Sequence, residues 1–454
     1  MQGIMKIRTS LTALLCLFAL GAMIPRAGGQ DFVDHEPSRS QSAGADRLAA
    51  APTTEGLLVQ SRNPNIEALI DQLDEALVTG YLEDIVAFPS RVTESNACRD
   101  ASQYIYDEFA GMGLDVRFHY WNYYGMADRN VEATLHPTGG SSDEIYIVCA
   151  HHDSVNNCPG ADDNGSGTAA VLTLAKLFSN CSFDAEIRFV TFSGEEQGII
   201  GSQVYASEAR LNGDNIVAVL NADMIGFTDG PSTTDKAYVF YDNPSAWIKN
   251  AMNTTAQQYF TSIGLNMYPV ANGGGSDHLA FWWEGYQAIF LHEYEFNNYY
   301  HSSGDTIAHM DLNYLMRCTR LLLATLGEIA GPFTISPLAD IKVDGLDGPL
   351  TIPASQDVNM TISLDPFDQA GVSHDWWVGG LKNTNTLYCW TYSGGWIGPC
   401  YPIRAYVGPL IGVSDYTIHS GKIPVGTWQF VFAVDELNNS YEGTFADSIE
   451  VTSY

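Results

Sequence analysis

The sequence predicts an α/β protein: a three-layer α/β/α sandwich around a mostly parallel central sheet, followed by a C-terminal all-β, sandwich-like accessory domain. Three observations carry this expectation. Between residues 63 and 332, short apolar runs bounded by turn residues alternate with stretches of helical period, which is the pattern of strand–helix units. After Pro332 the helical period disappears, and strand-like segments separated by Gly, Pro, Asn and Asp take over. The chain, at 454 residues, also exceeds what one hydrophobic core ordinarily holds.

Taken in order, residues 1–29 read as a signal peptide. Lys6 and Arg8 precede an apolar run over 11–24, and the small residues Ala27, Gly28 and Gly29 follow. The run is short for a membrane span, so no span is expected in the mature chain. Residues 30–62 are polar and aperiodic, as a linker or pro-segment is. Helical spacing of Ile, Leu, Tyr and Phe marks 66–82 and 100–112. Apolar runs at 145–150, 187–192, 216–222, 237–241 and 288–291 read as buried strands. Residues 167–178 place Ala170, Val171, Leu174, Ala175 and Phe178 on one helical face, and a second amphipathic helix over 312–329 stops at Gly331-Pro332. These elements make 63–332 one expected domain, the one that carries the chemistry-bearing segments below. In 333–454, the segments 357–364, 376–381, 387–391, 428–434 and 447–452 are strand-like, and Trp376, Trp377, Trp390 and Trp396 read as core residues.

Composition narrows the partners. Acidic residues number 53 against 21 basic ones, for a net charge of −32, so nucleic acids and anionic membranes would repel the chain. Cys16 falls in the leader and leaves seven of the eight cysteines. Cys389 and Cys400 flank a turn-rich segment and form the expected disulfide, suited to an oxidising compartment; the pairing of Cys98, Cys149, Cys158, Cys181 and Cys318 is left open.

Five segments offer chemistry. His151 ends a strand and is followed by His152 and Asp153, so that its imidazole can bind a metal while Asp153 accepts the other ring N–H. Gly160-Ala161-Asp162-Asp163-Asn164-Gly165-Ser166-Gly167 sets carboxylates at the start of a helix. Ser193-Gly194-Glu195-Glu196-Gln197-Gly198 leaves a strand with paired carboxylates, one able to ligate and the other to move a proton. Asp223 ends another buried strand, where a charge needs a partner. Tyr300-His301 supplies a second imidazole, with Asp305 in reach as its outer partner. Taken singly, each segment has an ordinary use as a hydrogen-bonded pair, a helix cap or a solvated loop.

Together the five segments resemble the co-catalytic, two-zinc aminopeptidase family of secreted bacterial leucine aminopeptidases, related to glutamate carboxypeptidases. The Gly-Ala-Asp-Asp-Asn-Gly-Ser-Gly and Gly-Glu-Glu-Gln-Gly stretches are the most distinctive part, and the likeness runs over about 66–330. The resemblance implies two Zn²⁺ per chain, with Asp163 bridging, His151 and Asp223 on one ion, and Glu196 and His301 on the other. Glu195 becomes the general base acting on a zinc-bridging water, Tyr300 an oxyanion donor, and Asp153 and Asp305 the outer partners. A secreted, extracellular or periplasmic monomer that removes N-terminal residues from peptides is therefore expected. The alternatives are a carboxypeptidase of the same family, a glutaminyl-cyclase-like enzyme and a non-catalytic relative. The segment Gly273-Gly274-Gly275-Ser276-Asp277-His278 resembles the family's Ser-Asp-His stretch, but Gly275 departs from the Arg or Met of some members, so it is read as a structural loop.

Overall fold

The computed structural model describes residues 62–138, 142–383, 386–438, 441, 443 and 445–454. The signal peptide and nearly all of the linker expected from the sequence lie outside the described residues. The single helix expected over 66–82 is two: α1 (Pro64–Gln72) and α2 (Glu75–Val86). The break falls at Asp74, whose extended backbone and carboxylate cap α2 by accepting from the Leu77 N–H. Next come α3 (Asn96–Gly111), β1 (Asp115–Tyr123), β2 (Met126–Leu135), β3 (Glu144–His151), α4 (Gly167–Phe178), β4 (Cys181–Phe183) and β5 (Glu186–Phe192). They are followed by α5 (Ile200–Asn212), β6 (Asn215–Ala222), β7 (Lys236–Tyr241), α6 (Ala246–Gln258), α7 (Phe260–Ile263), β8 (Asn266–Ala271), α8 (His278–Trp283), β9 (Ala288–Glu293) and α9 (Leu312–Ile329).

Eight strands form one mixed sheet in the order β1-β2-β5-β3-β6-β9-β7-β8. Its centre, β5-β3-β6-β9, is parallel. The β1–β2 and β2–β5 pairs and the β7–β9 pair are antiparallel, while β7 and β8 run parallel. Helices cover both faces, because the central strands are buried on both sides with a period of two. Tyr146, Val148 and Ala150 of β3 enter a core shared with α1, α2, α4, α6 and α9. Ile145, Ile147 and Cys149 enter the opposite core, with Tyr205 and Ala209 of α5 and Phe281 of α8. The parallel centre delivers the ends of β3, β5 and β6 side by side at one edge, where an open α/β sheet gathers its functional residues.

Residues 338–453 contain strands and one short 3₁₀ turn among the described residues: β11 (Leu338–Val343), β12 (Leu350–Ile352), β13 (Asp357–Asp365), β14 (Ser373–Lys382), β15 (Thr386–Thr391), β16 (Gly395–Ile397), β17 (Tyr406–Pro409), β18 (Val413–Lys422), β19 (Gly426–Glu436) and β20 (Phe445–Ser453). A three-stranded sheet, β11-β13-β18, and a seven-stranded sheet built on β12-β20-β19-β14-β15-β16 bury a common core. Ile341, Met360 and Ile418 come from the first, and Trp376, Phe432 and Val451 from the second. Trp376, Trp377 and Trp390 are buried. Cys389 and Cys400 are disulfide-bonded. The short strand β10 (Phe333–Ile335) pairs with β4 and packs Phe333 and Ile335 into the α/β core, three residues past the boundary read at Pro332. No helix among the described residues is long and apolar enough to cross a membrane.

Candidate metal centre

The site grows out of the strand ends. His151 is the last residue of β3, and Thr168 of α4 donates to its carbonyl at 2.8 Å. Below it lies Arg91, fully buried, donating to the carbonyls of His152 (2.7 Å), Pro159 (2.8 Å) and Gly160 (2.8 Å). This single guanidinium ties the exit of β3 to the turn that begins the Asp162-Asp163 segment, the kind of multiple donation arginine allows. Gly160 is required there. Its φ is +61°, and an added Cβ would stand 2.6 Å from the Asp163 carbonyl oxygen and 2.8 Å from Ser154 Cβ. Asn164 then closes the turn, accepting from the Gly167 N–H and donating to the Ala222 carbonyl, each at 2.9 Å.

The Glu195-Glu196 turn is held from both sides. Ser193 donates its N–H to Asn130 Oδ1 at 3.0 Å and receives the Trp121 indole N–H on Oγ at 2.9 Å. The Asp153 carboxylate accepts from the Glu195 and Glu196 N–H groups, both at 3.3 Å, and from Thr93 Oγ1 at 2.9 Å. His151 Nδ1 faces the Asp153 main-chain carbonyl at 3.2 Å and Asp153 Oδ1 at 3.4 Å. One buried residue, Asp153, thus orients the imidazole and, through its carboxylate, fixes the turn that carries the paired glutamates.

Asp223 follows β6. Its Oδ2 accepts from Ser276 Oγ at 2.6 Å, and Ser276 in turn accepts from Asn221 Nδ2 at 2.8 Å. The glycine-rich segment read as a structural loop therefore reaches the site through Ser276, while His278 packs away from it against Phe290 and Trp282. Replacing Ser276 by Ala is expected to weaken metal affinity by about 10–100-fold, the usual effect of removing a side chain that orients a ligand. Competition against a chromogenic chelator measures it, and an unchanged affinity would show that Ser276 does not hold Asp223.

The five residues expected as ligands converge in two groups that share Asp163: His151, Asp163 and Asp223, and Asp163, Glu196 and His301, with the facing atoms of each group within 4.8 Å of one another. Asp163 divides its oxygens between them. Oδ1 lies 3.4 Å from His151 Nε2, and Oδ2 lies 3.2 Å from His301 Nε2. His151 Nε2 is also 3.4 Å from Asp223 Oδ1, and His301 Nε2 is 2.9 Å from Glu196 Oε2.

These residues fit divalent cations on three counts. His151 Nε2, Asp223 Oδ1 and Glu196 Oε1 are buried and have no hydrogen-bond partner, which is costly for polar atoms unless something else satisfies them. Two imidazoles with three carboxylates form a nitrogen–oxygen donor set suited to Zn²⁺. The surroundings also draw in positive charge. Burial alone would lower the pKa of His301, yet Asp163 and Glu196 push it up to about 10. Burial likewise opposes a charge on His151, and Asp223, Asp153 and Asp163 reverse it.

Glu195 lies outside both groups but beside them. Burial raises its pKa well above the usual carboxylate range, and Asp277, Asp223 and Glu196 add to this against the charge of His151. Tyr300 stacks on the His301 ring at 3.7 Å and remains 39% exposed at the mouth of the cluster. Burial, then Asp163, Glu196 and Glu195, push its hydroxyl pKa upward and keep it a donor.

Asp305 departs from expectation. Rather than accepting from the His301 ring, it accepts from the Asp162 N–H at 2.9 Å and the Asp163 N–H at 3.1 Å. The reason is that the two segments are bonded main chain to main chain: Ala161 donates to the Asp305 carbonyl at 3.3 Å, so the carboxylate meets the main chain of the Asp163 turn first.

Residues 130–326 match the model of peptidase family M28. A probable leucine aminopeptidase of Arthroderma otae is 30% identical over 217 residues, which cover 44% of this chain and 57% of the relative. Aminopeptidase YwaD of Bacillus subtilis is 31% identical over 215 residues, 45% of each chain. The chain thus spans about half the length of these relatives. The crystal structure of BSAP, described as a zinc aminopeptidase from Bacillus subtilis, has the same fold with a TM-score of 0.51 at 17% identity, covering 56% of this chain and 95% of that one. The segment matched by the family model contains both residue groups and the Glu195 turn.

Proposed function

We propose that the chain is a secreted, monomeric, zinc-dependent aminopeptidase that hydrolyses N-terminal residues from peptides in an extracellular or periplasmic space. One observation carries the reading: a buried carboxylate, Asp163, presents one oxygen to each of two imidazole–carboxylate groups, in which His151 Nε2, Asp223 Oδ1 and Glu196 Oε1 lack hydrogen-bond partners. The names of the relatives, leucine aminopeptidase and zinc aminopeptidase, support peptides as substrates and zinc as the metal. In this reading His151, Asp163 and Asp223 would hold one ion, and Asp163, Glu196 and His301 the other. The chain comprises a three-layer α/β/α catalytic domain and a β-rich accessory domain beginning near residue 333, with a cleaved leader over 1–29.

Bound divalent cations acidify water and polarise a carbonyl oxygen. The residues do the rest. Glu195 takes a proton from the attacking water as its oxygen bonds to the scissile carbonyl carbon. As the C–N bond breaks, Glu195 returns that proton to the departing amine nitrogen. Tyr300 donates its hydroxyl hydrogen to the oxyanion of the tetrahedral intermediate. Asp153 holds both the His151 ring and the Glu195 turn in place throughout.

Arg188, the basic residue that precedes the glutamate pair in sequence, is engaged by Glu186 and Asp214, each at 2.7 Å. It is therefore not free to grip a substrate's C-terminal carboxylate, which favours aminopeptidase over carboxypeptidase action. The test is hydrolysis of aminoacyl-anilides by the pure protein with and without a chelator. Chelator-sensitive release, restored by Zn²⁺, is the expected result; no release across Leu, Phe, Arg, Glu and Ala anilides would refute the aminopeptidase reading.

A further inference from the structure

A cavity of about 210 Å³ opens on the outer side of α9, against the α7–Gly264 turn, lined by Thr261, Ser262, Asn313, Met316, Arg317 and Arg320. Since about 10–15 Å³ suffices for one water, it has room for a multi-atom ligand. Neither of its two arginines, Arg317 and Arg320, forms an ion pair among the described residues. Their bonds go to main-chain carbonyls instead: Arg317 Nη1 to Thr234 at 2.9 Å, Arg320 Nη1 to Ser262 at 3.3 Å and Arg320 Nη2 to Leu73 at 3.1 Å. Each guanidinium carries five N–H donors, and Arg320 Nε is buried without an acceptor.

The charges also sit close together. Burial lowers the Arg320 pKa, Asp71 opposes the shift, and the positive charge of Arg317 adds to it. A third guanidinium borders the site, as Arg62 Nη2 donates to Thr261 Oγ1 at 2.8 Å while Arg62 Nη1 pairs with Glu67 at 3.0 Å. Carbonyl oxygens accept hydrogen bonds without supplying a full negative charge, and an oxyanion supplies both, because the arginine fork matches carboxylate and phosphate geometry.

We propose that this cavity binds a small oxyanion, a phosphate or a carboxylate, between Arg317 and Arg320, with Thr261, Ser262 and Asn313 as its polar walls. The site is separate from the metal centre and does not depend on the peptidase reading. The experiment is calorimetric titration of inorganic phosphate and, separately, acetate into the full-length zinc-loaded protein at constant ionic strength, using wild type, Arg317→Gln and Asn313→Trp. Arg317→Gln removes one fork, and Asn313→Trp fills the cavity from an exposed position without touching a charge.

Any anion binding at the metals is common to all three proteins, so the difference between them reports the cavity. The expected result is a wild-type binding event weakened at least tenfold in both variants, with anilide turnover unchanged; whichever anion produces it identifies the ligand chemistry. Equal binding in all three proteins, or no binding of either anion, overturns the proposal.

Discussion

Glu195→Gln is expected to lower kcat for anilide hydrolysis by roughly 10²- to 10⁴-fold, the span that a positioned acid–base group contributes, while the metal content stays at the wild-type level. The expectation rests on where Glu195 sits. It belongs to neither ligand group, so an isosteric amide removes the proton acceptor and leaves the ligands intact. The main chain of the turn is held through the Glu195 and Glu196 N–H groups by Asp153, and these bonds do not involve the altered side chain. Steady-state kinetics paired with metal analysis checks both halves. Near-normal turnover would remove Glu195 from the mechanism, whereas lost metal would make it a structural residue.

Asp163→Ala has a different signature. Because its two oxygens serve different imidazoles, removing it is expected to weaken both groups at once, so that bound metal falls below one ion per chain. Activity should fall on the order of 10³-fold or more, since a metal supplies several kcal/mol of transition-state stabilisation and each 1.36 kcal/mol is a factor of ten. Asp223→Ala, which serves one group alone, should spare the other and retain about one ion. Equal losses in the two variants, read by metal analysis after gel filtration, would contradict the shared role of Asp163.

Four members of the two residue groups, His151, Asp163, Glu196 and Asp223, are legible in the sequence because each follows a buried apolar run or a glycine turn, and the parallel centre of the sheet gathers such ends at one edge, whereas His301 follows Asn297-Asn298-Tyr299-Tyr300 and is marked only by the resemblance. What holds those ligands is not. Strands β1 and β2 carry the buried polar residues His119, Asn130, Glu132 and Thr134, which break the apolar signature of a strand and hide the hairpin bearing Trp121 and Asn130. Ser276 stands in a recognisable segment, but its bond to Asp223 spans 53 positions, a distance over which no local pattern extends. Asp305 is close in sequence to His301, yet the fold presents the main chain of the Asp163 turn to its carboxylate. The split between α1 and α2 turns on one capping carboxylate, Asp74, inside an apolar period that continues across it.

The most direct test of the central claim is anomalous diffraction at the zinc edge from crystals of the zinc-loaded protein. Two peaks are predicted, one among His151, Asp163 and Asp223 and the other among Asp163, Glu196 and His301, with Asp163 touching both. A single peak, or peaks that leave Asp163 as a ligand to one ion or none, would contradict it.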